Sequence, residues 1–427
     1  MAMEPLYTTR RDFLGGALTV LSAAATLPLF LGRTARVLAA TQPATGARGD
    51  SHRILVVIQL AGGNDGLNMV VPSGMDEYYR YRRQLAIPPR DVLPLADGVG
   101  LHPSATGLKA LHDAGRLAIV QGVGYPNPNR SHFTSTDIWM SGDPHQRSRH
   151  GWLGRYFDAA CDGADPGPDP LDGIALTSEP PLALLGDRFM PLSFSSAAAL
   201  TWRGPRNDAR AAEAFVALNR PDDIPAERPA VAPFLQRAAL DAHVGAERIR
   251  TAAGRTQRRS GPLGANPLLR QLDLVGQMIR ADLPTRVYYV SLGGFDTHSA
   301  QLGRHRTLMQ QLGDGLRTFA DDLAADKLLD RVLVMTFSEF GRRVQENASG
   351  GTDHGEAAPM LLAGATLRPG LHEPHPDLRR LNRGDLAFGC DFRRVYATVL
   401  QDWLETPAAP ILGGTHRPLR LYARARG

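Results

Sequence analysis

Cysteine is nearly absent. The 427 residues hold two, Cys161 and Cys390, and neither has a metal-ligand neighbour at the usual spacing. A disulfide-built scaffold and a cysteine metal site are therefore excluded. The two thiols could form one bridge in an oxidising compartment, but a protein folded before export needs none. Strong charge of either sign is also missing, the formal net charge being +5. Setting aside residues 1–40 removes Arg10, Arg11, Arg33 and Arg36 together with Glu4 and Asp12, which takes +5 to +3. So small a surplus gives no case for a nucleic-acid partner or an anionic membrane. The one local excess, Arg248 to Arg259, lies among Gly, Ala, Thr and Ser and reads as a solvated loop. No repeat of fixed period occurs. Gly and Pro are abundant, which suggests long irregular connections.

Thr8-Thr9-Arg10-Arg11-Asp12-Phe13-Leu14 has the form of a twin-arginine export signal. It leads into a mildly apolar stretch, Phe13 to Leu31, broken by Gly15, Gly16 and Pro28. Val37-Leu38-Ala39-Ala40 then offers small residues for cleavage. A single membrane anchor is the alternative, but the stretch is barely long enough to span and glycine dilutes it. Residues 1–40 are read as a signal peptide. The mature protein is expected to be periplasmic or secreted, with no integral membrane span. Residues 41–427 read as a single domain.

Arg53 to Leu60 is a nearly continuous apolar run of branched residues, the pattern of a strand buried on both faces. Thr285 to Ser291 and Arg331 to Phe337 read the same way, with shorter strands at 117–121 and 358–362 and weaker ones at 172–177 and 189–194. Helical spacing marks 104–114, 302–323 and 392–404. This alternation predicts an α/β fold with a mainly parallel sheet flanked by helices on both faces. Residues 207–278 carry no strong strand and read as a helical insertion or lid. Residues 162–170, rich in Asp, Gly and Pro, read as loop.

Polar clusters sit beside the apolar runs: Gly62-Gly63-Asn64-Asp65-Gly66, Gly293-Gly294-Phe295-Asp296-Thr297-His298, Ser338-Glu339-Phe340-Gly341 and Gly351-Thr352-Asp353-His354-Gly355. Ligands bind outside the carboxyl ends of strands in open α/β sheets. Carboxylates and imidazoles placed there are candidate metal ligands. Asp65 is one, with an Asx-type turn as the alternative. Asp296 and His298 are two residues apart, so an extended chain points both to one side. Glu339 ends an apolar strand, where a carboxylate must be paired or ligating. Arg342 or Arg343 could pair it instead. His354 follows Asp353, which could orient it or merely cap a turn. Asn129-Arg130-Ser131-His132-Phe133 is a further feature. Ser131 could cap a helix through Ile138 to Met140, and Arg130 beside a helix start suits an anion. His132 is a candidate substrate contact.

The ordered series Gln59 to Asn68, Asn129 to Phe133, Gly293 to His298, Phe337 to Arg342 and Gly351 to Gly355 resembles the domain of unknown function 1501 family, over nearly the whole mature chain. That family is in turn similar to the alkaline phosphatase and sulfatase superfamily. The resemblance implies an alkaline phosphatase-like fold with two neighbouring metal positions. One would hold Asp296, His298 and His354, with Asp353 beside it. The other would hold Asp65 and Glu339. It implies Ser131 and His132 as catalytic residues, and Asn129, Arg130 and Asn64 as substrate-binding ones. The ions would be divalent, zinc first and manganese second, one or two in number. Three departures stand out. Phe340 replaces an expected histidine, Asp296 and His298 stand closer together than in the phosphatases, and Pro128 stands where relatives carry a nucleophile. An alternative alignment makes Asp353-His354 itself the metal-binding Asp-His pair. Two functions follow. One is a metal-dependent hydrolase of phosphate or sulfate esters acting on an anionic ester or a polysaccharide. The other is a catalytically inactive metal-binding envelope protein for a partner protein or polysaccharide.

Overall fold

The computed structural model describes residues 52–160, 169–196, 245–251, 254 and 264–422. The expected signal segment 1–40, Cys161, residues 207–244 of the expected insertion and most of the expected loop at 162–170 lie outside the described residues. The strands in chain order are β1 (Ile54–Ala61), β2 (Val70–Val71), β3 (Leu93–Ala96), β4 (Val99–Leu101), β5 (Leu117–Gly124), β6 (Gly173–Ala175) and β7 (Leu192–Ser193). They continue as β8 (Val287–Gly293), β9 (Val332–Phe337), β10 (Ala358–Ala363), β11 (Gly370–His372), β12 (Leu381–Asn382), β13 (Asp385–Leu386) and β14 (Cys390–Asp391). The helices used below are α1 (Gly66–Met69), α2 (Asp76–Tyr81), α3 (Thr106–Asp113), α4 (His132–Ser141), α5 (Trp152–Ala160), α6 (Pro267–Arg280), α7 (Gln301–Ala325) and α8 (Phe392–Thr398).

Nine strands form one sheet in the order β11-β5-β10-β9-β1-β8-β6-β7, with β14 paired to β5. β1 lies at its centre, parallel to both β8 and β9. Its side chains alternate between two cores, as period-two geometry requires. Val56, Ile58 and Leu60 face a core with Leu108 and Leu111 of α3, Leu272 and Val275 of α6, and Leu312 and Leu316 of α7. Leu55 and Val57 face the other, with Ile138 and Trp139 of α4, Phe157 of α5, and Val395 and Tyr396 of α8. Both faces are covered, which is why the run carries almost no polar residue. The mainly parallel α/β sheet flanked by helices on both faces is thus as expected.

β10 is the exception within this sheet. It pairs antiparallel with both β5 and β9. The carboxyl ends of β1, β5, β8 and β9 and the amino end of β10 therefore share one edge. The Asp353-His354 cluster precedes its strand, while the clusters after β1, β8 and β9 follow theirs. The reversal of β10 brings all of them to the same edge.

Several elements depart from expectation. A small sheet in the order β2-β4-β3 and the helices α2 and α5 are not among the expected elements. The helix expected over 392–404 is regular only to Thr398 and continues as a π-turn over Val399–Trp403. α6 begins inside the expected insertion, yet it buries Leu268, Leu272, Val275 and Met278 in the core. This part of the chain is a layer helix and not a lid.

Ile58 is fully buried in the first core. Ile58→Ala is expected to cost about 2–5 kcal/mol. Phe133 is 86% exposed, so Phe133→Ala should move stability by less than about 0.5 kcal/mol. Denaturant unfolding of both variants checks the contrast.

Candidate metal centre

The turn after β1 brings strand ends close together. Gly62 has φ +119°, and a Cβ there would run into the backbone nitrogen of Asp296. The β1 and β8 ends can cross at this distance only because the residue is glycine. Gly351 serves the same purpose against the backbone of His298. The guanidinium of Arg342 lies buried between these segments. Its Nε donates to Gly63 O at 2.7 Å, Nη1 to Thr352 O at 2.8 Å, and Nη2 to Phe295 O at 3.0 Å, to Asp296 Oδ1 at 2.6 Å and to Gly62 O.

Asp296 Oδ1 is the meeting point of three imidazoles. His298 Nε2 is 3.1 Å away, His354 Nε2 3.3 Å and His132 Nε2 3.7 Å. His298 Nε2 and His354 Nε2 are 2.9 Å apart. Alternation along the extended chain after β8 keeps Phe295 and Thr297 buried and turns Asp296 and His298 to the site.

The second nitrogen of each ring is engaged elsewhere. His132 Nδ1 donates to Glu339 Oε1 at 2.8 Å, His298 Nδ1 to Asp353 Oδ1 at 3.2 Å, and His354 Nδ1 to Arg130 O at 2.8 Å. Each acceptor requires the proton on Nδ1, which leaves each Nε2 as a bare lone pair in the neutral ring. Two such lone pairs 2.9 Å apart repel unless a cation or proton lies against them. Rings oriented through Nδ1 by carboxylates and carbonyls are the usual support of a metal site. Burial, reinforced by Arg342, pushes His354 below the ordinary imidazole value despite the Arg130 carbonyl, so the neutral, ligating form prevails. Burial alone would raise the Asp296 carboxyl, but Arg342 and the neighbouring imidazoles hold it low and ionised. His132, Asp296 and His354 offer ligand atoms within 4.8 Å of one another, and His298 closes the group. The donor set, imidazole nitrogens with one carboxylate, fits zinc or manganese.

The profile of the family described as "Protein of unknown function (DUF1501)" matches residues 52–375. The chain belongs to the DUF1501 family. No curated protein matches the sequence. Among solved structures, the DUF1501 chain is similar to the lipoteichoic acid synthase LtaP from Listeria monocytogenes, at 11% identity over 75% of this chain and 68% of that one, with a TM-score of 0.31. It is similar to the C-terminal periplasmic domain of EptC from Escherichia coli, solved in complex with Zn, at 10% identity over 74% and 73%, with a TM-score of 0.33. A third likeness is to the PsFucS1 sulfatase from Pseudoalteromonas sp., at 10% identity over 92% and 71%, with a TM-score of 0.35.

The remaining candidates of the DUF1501 chain are placed as follows. Glu339 is buried and accepts from Gly62 N at 2.8 Å as well as from His132. It orients His132, and Arg342 and Arg343 pair with Asp296 and Asp385 instead. Asp353 accepts from Asn347 and orients His298. Asp65 caps α1 and forms a fully buried ion pair with Arg82 at 2.6 Å. Burial raises its carboxyl, but Arg82 outweighs this and holds it low. The Asx-type alternative therefore describes Asp65 well. Ser131 stands at the amino end of α4 without a side-chain cap bond. Asn129 Oδ1 accepts from Ser131 N instead. Arg130 pairs with Asp385 and contributes its carbonyl to His354. Asn64 is buried, with its backbone on Ser338 Oγ. Phe340 packs against the rings of His132 and His354, at 4.9 and 4.5 Å.

Gln301 was not singled out from the sequence. Its Nε2 donates to Asp65 Oδ2, and its Oε1 accepts from Thr297 Oγ1 at 3.0 Å and Thr352 Oγ1 at 2.7 Å. Those threonines adjoin Asp296 and His298 on one segment and Asp353 on the other. Gln301 therefore clasps both segments to the Asp65–Arg82 pair.

Asp65→Asn leaves the Arg82 guanidinium buried without its counter-charge and is expected to cost about 3–5 kcal/mol in denaturant unfolding. Burial, with neighbouring charges, also pushes the buried His102 and His305 down to about 3 and about 4. The unfolded chain binds these protons first. Stability present above the ordinary histidine value of 6.5 is thus lost as pH falls toward the folded values. Unfolding midpoints should drop between about pH 7 and about pH 5, and drop less in His305→Gln.

Proposed function

We propose that this chain is an exported metal-dependent hydrolase of phosphate or sulfate esters, with one divalent ion held by Asp296, His298 and His354. The observation that carries this reading is the convergence of bare Nε2 lone pairs on one carboxylate oxygen, each ring oriented through Nδ1. Zinc suits the donor set best, with manganese second. When bound, such an ion polarises the ester oxygen and offsets the charge that develops on it. The chain's own residues supply the rest. Glu339 and Asp353 lock two of the rings, Arg342 keeps Asp296 ionised and aimed, and Phe340 excludes water from one side of His132 and His354. The Arg10-Arg11 signal supports delivery to the periplasm or beyond.

Protein purified after native export should contain about one divalent ion per chain by elemental analysis. His298→Ala with His354→Ala should remove it, and turnover of aryl phosphate and aryl sulfate panels should fall together with the ion. Gln301→Leu should keep the fold but weaken metal affinity by about 10–100-fold in a chelator competition. An ion without turnover on either panel would favour the catalytically inactive envelope protein that binds a polysaccharide or partner protein, a reading to which Pro128 and Phe340 lend weight. Absence of any ion would remove both.

A further inference from the structure

We infer that Arg130, Arg343 and Arg383 form an anion subsite beside the metal centre, which takes a second anionic group of the substrate. The inference rests on the hydrolase reading above and adds the substrate class. That class is an ester carrying a phosphate, sulfate or carboxylate besides the group held at the ion.

Asp385 of β13 is the anchor, its side chain fully buried. Its Oδ2 accepts from Arg130 Nη2, and its Oδ1 lies 3.3 Å from Arg343 Nε. One carboxylate therefore holds two guanidiniums side by side. Glu356 stands 3.5 Å from the same Arg130 nitrogen, but both of its oxygens also accept from Asn382 Nδ2, at 3.2 and 2.9 Å. The carboxylates fix the arginines without exhausting their donors. A guanidinium has five N–H bonds. Among the described residues, no protein oxygen accepts from Nε or Nη1 of Arg130, or from Nη1 of Arg343. The two side chains are 38% and 35% exposed. Partly exposed forks with unclaimed N–H groups match the oxygens of phosphate, sulfate or carboxylate.

The main chain places these forks next to the groups that hold and orient the ion. Arg130 O accepts from His354 Nδ1 at 2.8 Å, while the Arg130 side chain reaches Asp385. Arg343 N donates to Asp353 O at 2.9 Å, and Asp353 orients His298. The hairpin β12–β13 adds a third cation. Asn382 pairs with Asp385, so Arg383 and Gly384 form a two-residue turn, with φ +54° and +86°. Arg383 O accepts from Arg343 Nη2 at 2.7 Å, which ties the turn to the other two arginines. Arg383 is exposed and has no ion-pair partner among the described residues, whereas nearby Arg379 is taken by Asp377. A second anion on an ester held at the ion gains these donors, and a singly charged ester does not.

Calorimetry on the ion-loaded mature protein tests this, with dextran sulfate as the probe, because it offers sulfates at many spacings, and uncharged dextran as the control. Dextran sulfate should bind, more weakly as salt rises, and dextran should not. Dextran sulfate should also raise the KM for 4-nitrophenyl phosphate without lowering kcat, since subsite and ion share one mouth. Arg343→Gln should weaken dextran sulfate binding about 10-fold. Arg383→Gln, at an exposed turn, should weaken it as well and carries the test if Arg343→Gln fails to fold. No binding of dextran sulfate, the same affinity in wild type and both variants, or an equal loss in Arg317→Gln on the far half of α7, overturns the inference and leaves the hydrolase reading standing. Arginine-dependent binding in an ion-loaded protein that turns over neither ester panel sustains the subsite and overturns the hydrolase reading.

Discussion

A single buried guanidinium holds the edge that carries the candidate centre together. Arg342 takes carbonyl oxygens from the turn after β1, from the segment after β8 and from Thr352, and it grips the one carboxylate that those segments present to the imidazoles. Burying a charge is expensive unless its donors are satisfied. Here the acceptors come from chain segments that are remote in sequence. The cost of leaving Arg342 unsatisfied is therefore a penalty on every arrangement in which those loops separate. A second buried pair, Arg82 with Asp65, performs the same service one layer away. Its guanidinium also reaches the carbonyls of Arg343 and Val344.

Around that frame, protons are sorted by what the Nδ1 atoms find. Two imidazoles lean on carboxylates and one on a main-chain carbonyl, so all three are forced into the same tautomer. Nothing about the Nε2 atoms themselves decides this. Orientation is imposed from behind, by Glu339 at the end of β9, Asp353 and the Arg130 peptide. The centre is thus a property of five chain ends along one sheet edge, and no single segment contains it.

Much of the frame was legible in the sequence, for definite reasons. β1, β8 and β9 are covered on both faces, and such strands have no option but continuous apolar runs. α3 and α7 show the 3.6-residue spacing of helices with one wet side. α5 shows it too, in Trp152, Leu153, Tyr156 and Phe157, but over a short run of nine residues, and is not among the expected elements. The site was partly legible. Residue type and strand-end position pointed to Asp296, His298 and His354, which the fold brings together. Position alone could not separate a ligand from the group that orients one, as with Glu339 and Asp353. Nor could it reveal that Asp65 is claimed by Arg82, a residue following a helix that periodicity missed. His132 lies far from Glu339 in sequence, and only the parallel placement of β5 and β9 on either side of a reversed strand makes them neighbours. Gln301 carried no signal, since a glutamine at a helix start is unremarkable until both threonines are seen to converge on it.

The reversed direction of β10 has one more consequence. The polypeptide leaves the sheet at the end of β9 and re-enters it from the same side, so the intervening stretch is an excursion closed at its base by the bridge between Arg342 and His354. Its outer part, between Val344 and Gly351, is stitched back at both ends: Glu346 accepts from the Gln84 and Leu85 amides, and Asn347 donates to His298 O and to Asp353. The mouth of the centre therefore moves with the segments that carry its imidazoles.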